Sequence, residues 1–323
     1  MEQTALTYLC PDCMAYLRYD GKEQKWVCDY CGGKFTREEL EQRGTETKQD
    51  DYEVKPRAEA AENTAEISYH YEENITETDE DLSHLRAYHC PSGGEIVTDD
   101  VTAATFCVFC GNPTILPTQL EGEYRPSAIL PFETDKEDAR KAFLQLCKGK
   151  RLLPKGYTSE QRLEKITGVY VPFWLFDCKA DFDYHATGEN VITWSDTRFI
   201  YTKTDLYHIH RAGTMEFENI PLDASEKMQD DLMDALEPFH LEKKKPCDMS
   251  YLSGFLAEKY TYEPKDLYDR MTKRITPGVE HKAAEGGKSY QRVYGVKCHT
   301  DFSSKQQSYM LLPVWMLMSK YDG

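Results

Sequence analysis

The chain has 323 residues, carries 56 Asp and Glu against 39 Lys and Arg, and has a formal charge of -17 at pH 7. That length allows about two domains, one with a sizeable core, and the acidic balance argues against the basic footprint of a nucleic-acid-binding protein. Its longest apolar run, Tyr309 to Met318, is too short for a membrane-spanning helix and is broken by Pro313, and no secretory leader precedes the first motif, so a cytoplasmic protein is expected.

Residues 1–40 read as a zinc ribbon. Cys10-Pro-Asp-Cys13 and Cys28-Asp-Tyr-Cys31 are two matched pairs with fourteen residues between them. A C-x-x-C turn sets two thiolates on one ion, and two such turns complete a tetrahedral shell. Asp20-Gly21 supplies a turn between the pairs. Four thiolates leave no position for water, so the ion is a staple rather than a catalyst; zinc is favoured over iron, which accepts the same geometry. The segment is too short for a core of its own, so metal binding supplies much of its folding energy. It carries five Lys and Arg against seven Asp and Glu.

Residues 41–86 are rich in Glu, Asp and Thr with few large aliphatics, which predicts an acidic disordered linker and a ribbon that moves independently. On that reading Cys13→Ser unfolds the ribbon and leaves residues 127–323 intact.

A second, degenerate ribbon is expected over residues 87–118. Tyr88-His89-Cys90-Pro-Ser-Gly93-Gly94 precedes Cys107-Val-Phe-Cys110-Gly111, with Gly93 where the pattern calls for a fourth cysteine. Cys90, Cys107 and Cys110 remain, and His89, Asp99, Asp100 or water would complete the shell; His89 adjoins Cys90 and is an awkward partner. A ribbon that holds zinc weakly or has lost it is favoured over a three-cysteine site with an exchangeable position. Cys147, Cys178, Cys247 and Cys298 are scattered singly, as buried thiols in a reducing compartment are.

Residues 127–323 read as a mixed α+β domain with antiparallel strands. Thr134-Asp-Lys-Glu137 is a capping box for a helix with Ala139, Ala142, Phe143, Leu146 and Cys147 on one face, ending at Gly149. A second helix opens at Asp223 with Met228, Leu232, Ala235 and Leu236 inward, and further helices cover residues 250–260 and 264–275. Strands are expected at 168–178, 180–186, 198–210 and 290–298. Tyr170-Val-Pro172-Phe-Trp174 is echoed by Leu312-Pro313-Val-Trp315, each a strand with a proline; the first is expected to turn at 177–179 and return through Phe182 and Tyr184. The Asp322-Gly323 turn is left without a second strand, so the natural protein is expected to continue.

Other chemistry reads as bland. His208 and His210 share a strand face with Asp205 nearby, but without a third ligand they are taken as an ordinary pair. Asp181 and Asp183 read as a solvated face, and Trp174 and Trp315 as core anchors. Glu285-Gly286-Gly287-Lys288-Ser289 is no P-loop, because Lys282 stands where the leading glycine belongs and the preceding segment is polar.

The two cysteine clusters, taken with Ile129-Leu-Pro131-Phe132, Gly168-Val-Tyr-Val-Pro172-Phe-Trp174, Arg211-Ala-Gly213, Pro221-Leu-Asp223-Ala-Ser225, Glu237-Pro238-Phe239, Tyr251-Leu-Ser-Gly254-Phe255 and Leu312-Pro313-Val-Trp315, resemble the bacterial transcription-factor-IIB-type zinc-ribbon proteins of the YdjG-like group, which often carry a primosomal-helicase-like label. The resemblance implies a non-enzymatic adaptor that partners SPFH-type or phage-shock-type membrane proteins in envelope stress. It also implies a membrane segment beyond Gly323 in some members, hence a cytoplasmic protein at or near the inner face of the membrane. The alternative is a nucleic-acid-binding regulator using Tyr8, Tyr16, Lys22, Lys25, Trp26 and Lys34 on the first ribbon.

Overall fold

The structure is a computed structural model that describes residues 7–43, 46–47, 85–89, 95–107, 112–116, 120, 125–150, 153, 156–285 and 289–317. Most of the 41–86 segment lies outside that set. The fold is mixed α+β with antiparallel strands dominant.

At the N-terminus, β1 (Thr7–Tyr8) leads to an antiparallel three-stranded sheet of β2 (Leu17–Asp20), β3 (Lys25–Cys28) and β4 (Lys34–Phe35). Helix α1 (Arg37–Arg43) follows behind a capping box in which the Thr36 amide donates to Glu39, and β5 (Glu46–Thr47) returns to pair with β1. Next come a two-stranded sheet of β6 (Leu85–His89) and β7 (Glu95–Asp99), then β8 (Thr102–Phe106), β9 (Pro113–Ile115) and β10 (Ala128–Ile129).

Helix α2 (Lys136–Cys147) is the one expected from the capping signal, but its cap is Asp135, whose carboxylate accepts from the Asp138 amide at 2.8 Å. None of its side chains is fully buried, so the apolar face read from the sequence lies only loosely against the sheet. After a one-turn helix α3 (Glu160–Leu163), the chain forms strands far longer than expected: β11 (Ile166–Ser195, 30 residues), β12 (Ile200–Asp223, 24 residues) and β15 (Arg292–Leu317, 26 residues). The turn expected at 177–179 does not exist. A β-bulge between Phe176 and Cys178 absorbs the irregularity, and β11 runs on through Phe182 and Tyr184.

Asp223 ends β12 instead of opening a helix, and the helix nearby, α4, is only Asp230–Asp234. Its Met233 is buried, whereas Leu232 and Leu236 are exposed. The helix expected at 250–260 is instead a 3-10 turn at Met249–Leu252 and a short strand, β14 (Leu256–Glu258), which follows β13 (Lys245–Pro246). Helix α5 (Tyr268–Ala284) begins after a 3-10 turn at Pro264–Leu267 and continues nine residues past the expected end. Met271, Ile275, Val279 and Ala283 form its buried stripe at four-residue spacing, and Pro277 falls outside that stripe.

The main sheet has eight strands in the order β13-β10-β15-β11-β14-β8-β9, with β12 also on β11. The two proline strands of the sequence echo are neighbours, with Tyr170 opposite Pro313 and Pro172 opposite Leu311. Pro172 sits where β11 changes partner from β14 to β12, and its carbonyl accepts from the Ala224 amide at 2.9 Å. Its missing N–H falls on that side, in the gap between the two partners, which is how a central strand tolerates proline. Both faces of β11 are covered there. Tyr170, Trp174 and Phe176 join one core with Phe132, Tyr251 and Met271, while Val169, Val171, Phe173 and Leu175 join another with Met310, Leu312 and Met233. Hence the near-continuous apolar run.

The first ribbon does not stand apart. Tyr19 and Trp26 are buried in the core of the main domain, in ring contact with Tyr251 at 5.0 and 5.3 Å. Trp26 Nε1 donates to the Ser250 carbonyl at 2.9 Å and the Tyr19 amide to the Ser253 carbonyl at 2.8 Å. At the β2–β3 turn a Cβ on Gly21 would lie 2.6 Å from the Phe132 carbonyl oxygen, so only glycine lets the ribbon settle this closely. Independent movement is therefore corrected: an amphipathic ribbon this short hides its aromatic face against the larger core. The described residues around Cys107 are likewise built into the body, since β8 pairs with β14 and Leu120 belongs to the main core.

Candidate metal centre

Cys10 and Cys28 are buried, Cys13 is half-buried and Cys31 exposed, and their four sulfur atoms lie within 4.8 Å of one another. The Sγ separations are 3.6 Å for Cys10 to Cys31 and 3.5 Å for Cys13 to Cys28. Zinc–sulfur bonds of about 2.3 Å place the corners of a regular tetrahedron about 3.8 Å apart, so the cluster fits a zinc ion with little adjustment. Each pair comes from a turn of the same design. The Cys10 amide donates to Ala15 at 2.6 Å and the Cys28 amide to Gly33 at 2.9 Å, while the amides of Met14 and Gly32 return to the carbonyls of Cys10 and Cys28.

Those return bonds require a left-handed residue after the second cysteine of each pair, met by Gly32 at φ +74° and by Met14 at φ +61°. The methionine is strained there by about 1–2 kcal/mol, of which the greater chain entropy of glycine would give back about 0.5–1. Met14→Gly should therefore raise ribbon stability by about 0.5–1 kcal/mol, read as an upward shift in thermal unfolding of the zinc-loaded protein.

The thiols are electrostatically unequal. Burial opposes ionisation of Cys28, but backbone hydrogen bonds from Cys31 and Tyr30 and the neighbouring thiols outweigh it and draw the group down to about 7. At Cys13 a backbone hydrogen bond from Ala15 favours the thiolate, yet burial and the adjoining sulfurs prevail and push it up to about 12. A divalent cation removes this conflict by pairing with all four thiolates, so Cys10, Cys13, Cys28 and Cys31 would hold it and it would supply rigidity.

Of the second cluster, Cys107 is described and buried; Cys90, Gly93 and Cys110 lie outside the described residues. The Cys107 amide donates to Asn112 at 2.9 Å, the same five-residue reach that opens both turns of the first ribbon. Asp99, one candidate fourth ligand, is otherwise engaged: Oδ1 accepts from the amide and hydroxyl of Thr102, and Oδ2 pairs with Lys227. Desolvation raises its carboxyl, but Lys227 and Thr102 outweigh that and hold it below the usual range.

Gly286 to Lys288 of the glycine-rich string also lie outside the described residues. Trp174 is buried, with Nε1 donating to the Tyr262 carbonyl, and Trp315 is partly buried with Nε1 on Thr134 Oγ1. On the first ribbon Tyr8 and Trp26 are buried, Lys22 pairs with Asp135 and Asp138, and Lys34 pairs with Glu23. Of the aromatic and basic set expected there, Tyr8 and Trp26 are thus withdrawn into the core, while Tyr16 and Lys25 stay half-buried.

Asp205 lies on the strand face opposite His208 and His210, where it pairs with Lys203. The companions of His210 are on β11: His185 directly across the ladder and Asp183 two residues before it. Sequence reading missed this group because His210 is 25 residues from His185 and 27 from Asp183, and meets them only through strand register.

No helix among the described residues is long and apolar enough to cross a membrane. No family model matches the chain, and no solved structure matches it. It is similar to the uncharacterized protein YdjG of Bacillus subtilis (strain 168), with 35% identity over 208 residues, which is 64% of this chain. The chain spans 61% of the length of that relative.

Proposed function

We propose that this protein is a non-enzymatic, zinc-stapled adaptor that binds partner proteins through the end of its long β-arm. The observation that carries the reading is the arm tip. Beyond Glu189 the ladder has lost β15, and residues 192–204 are exposed on both faces. Ile192, Trp194, Phe199, Ile200 and Tyr201 are among the largest exposed apolar side chains of the chain. Asp196 orders them: its Oδ1 accepts from the amides of Arg198 and Phe199, its Oδ2 accepts from the Tyr201 hydroxyl, and Trp194 and Tyr201 stack at 5.6 Å. Trp194, Phe199 and Tyr201 form an exposed apolar cluster on a prearranged turn, which has the character of a protein-binding hot spot, since little side-chain freedom remains to be lost on docking.

Through the resemblance to the zinc-ribbon family, the partners are SPFH-type or phage-shock-type proteins at the cytoplasmic face of the membrane. A nuclease-treated pull-down of the full-length gene product from membranes and cytosol of its native host, read by mass spectrometry, tests this. Wild type should recover such proteins from the membrane fraction, and Trp194→Ser with Phe199→Ser should lose them. Recovery of nucleic-acid machinery alone, or capture abolished by nuclease, would favour a ribbon-based regulator.

A further inference from the structure

The side chains of Asp183, His185 and His210 converge from two adjacent strands. The Asp183 Oδ1 lies 3.1 Å from His185 Nε2 and 2.8 Å from His210 Nε2, and one nitrogen or oxygen of each lies within 4.8 Å of the others. The two imidazole rings are stacked at 4.4 Å with planes 10° apart, both presenting Nε2 to the same carboxylate oxygen. Two histidines paired across an antiparallel ladder and a carboxylate one pleat away form a rigid donor set, because the strand register fixes all three on one face.

We infer that Asp183, His185 and His210 form a second metal site, one that takes a divalent transition cation of the imidazole-preferring kind, such as Zn2+, Ni2+ or Co2+. Nitrogen and oxygen ligands at about 2.0–2.2 Å from such an ion are about 3.3 Å apart, close to the separations already present. Two histidines and one carboxylate also make the donor set of sites that keep coordination positions open. The site is half open to solvent, so those positions face outward, toward water or a donor from a docked partner. His208 stacks on His185 at 5.4 Å, and β15 brings His299 opposite Asp183 and Lys297 opposite His185. Lys297 is the opposing charge and keeps affinity below that of the four-cysteine centre.

This site differs in every respect that matters for its test from the cysteine clusters. It contains no sulfur, it lies on the arm, and its ligands are exposed enough to be replaced without opening a core. The full chain, first loaded with zinc at the cysteines, is titrated with Co2+ and followed by calorimetry and visible absorption. One additional ion should bind with weak d–d bands and no thiolate charge-transfer band. His185→Gln and His210→Gln should each weaken that event at least about tenfold, while His240→Gln, a histidine elsewhere on the surface, should leave it unchanged. Retention of the cysteine-bound zinc in every variant reports an intact fold. Absence of a further ion, binding that carries a thiolate band, or wild-type affinity in the His185 and His210 variants would overturn the assignment.

Discussion

Replacing Cys13 by serine is expected to destabilise the whole described body, not the ribbon alone. The ribbon is a wall of the main core: Tyr19 and Trp26 pack on Tyr251, and the backbone of β2 hydrogen-bonds to Ser253. Structural zinc in small modules is worth about 10–16 kcal/mol of apparent binding energy, and a three-thiolate remnant forfeits much of it. Once the ribbon loosens, two large aromatic side chains leave the core at about 1.5–3 kcal/mol each. For a domain of this size that lowers the unfolding midpoint by about 10 °C or more. Calorimetry should give one displaced transition, with faster amide exchange at residues 170–176 as well as in the ribbon. Two separate transitions, the upper one unmoved, would restore the picture of an independent module.

Arg270→Met is expected to cost about 3–5 kcal/mol, because it strands a buried carboxylate. Asp223 is fully buried at the end of β12, and Arg270 Nη1 meets its Oδ1 at 2.7 Å while also holding Asp230 and Asp234. Burial already raises the Asp223 carboxyl above its ordinary value despite the guanidinium. Without Arg270 it rises further. The folded state then keeps a proton that the unfolded chain releases near pH 4, so stability of the variant falls as pH rises from about 4 to the raised folded-state pKa of Asp223 and is level above it. Urea unfolding should therefore show the loss fully at pH 7.5 and partly recovered at pH 5. Adding Asp223→Asn should remove that pH dependence; a penalty equal at both pH values would refute the electrostatic account.

The parts of the molecule legible in sequence are those whose partners are close in the chain. Two C-x-x-C pairs bring their sulfurs together through tight turns, and the capping signal at 134–137 announces the start of α2 to within one residue of its cap, Asp135. Long-range pairing was less visible. The turn expected at 177–179 is only a bulge after Phe176, and the strand expected to end at 186 runs on through Gly188, where a Cβ would meet the Tyr290 ring at 2.6 Å; Pro172, expected within a strand, sits at a change of partner. Gly188 is thus room for an aromatic side chain rather than a break. The segment 250–260 has a helical apolar pattern, but β11 and β8 offer Leu256 to Glu258 ladder partners that a helix would forgo. The histidine group on the arm failed to show for a related reason: Asp205 is close to His210 in sequence but on the wrong face, whereas Asp183 and His185 arrive on the neighbouring strand.

The strand order of the main sheet also constrains how this polypeptide matures on the ribosome. Strand β10, near residue 128, is flanked by β13 and β15, and the first residue of β11 pairs with the last of β15, Ile166 with Leu317. Almost the entire chain must emerge before the sheet can close, an arrangement of high contact order that folds slowly. The first ribbon is different, for all four of its thiolates are in hand after Cys31. Metal capture can therefore come first in synthesis, leaving a small folded unit whose Tyr19 and Trp26 stay uncovered until Tyr251 is made. During that interval the nascent chain displays an aromatic face that the finished core covers.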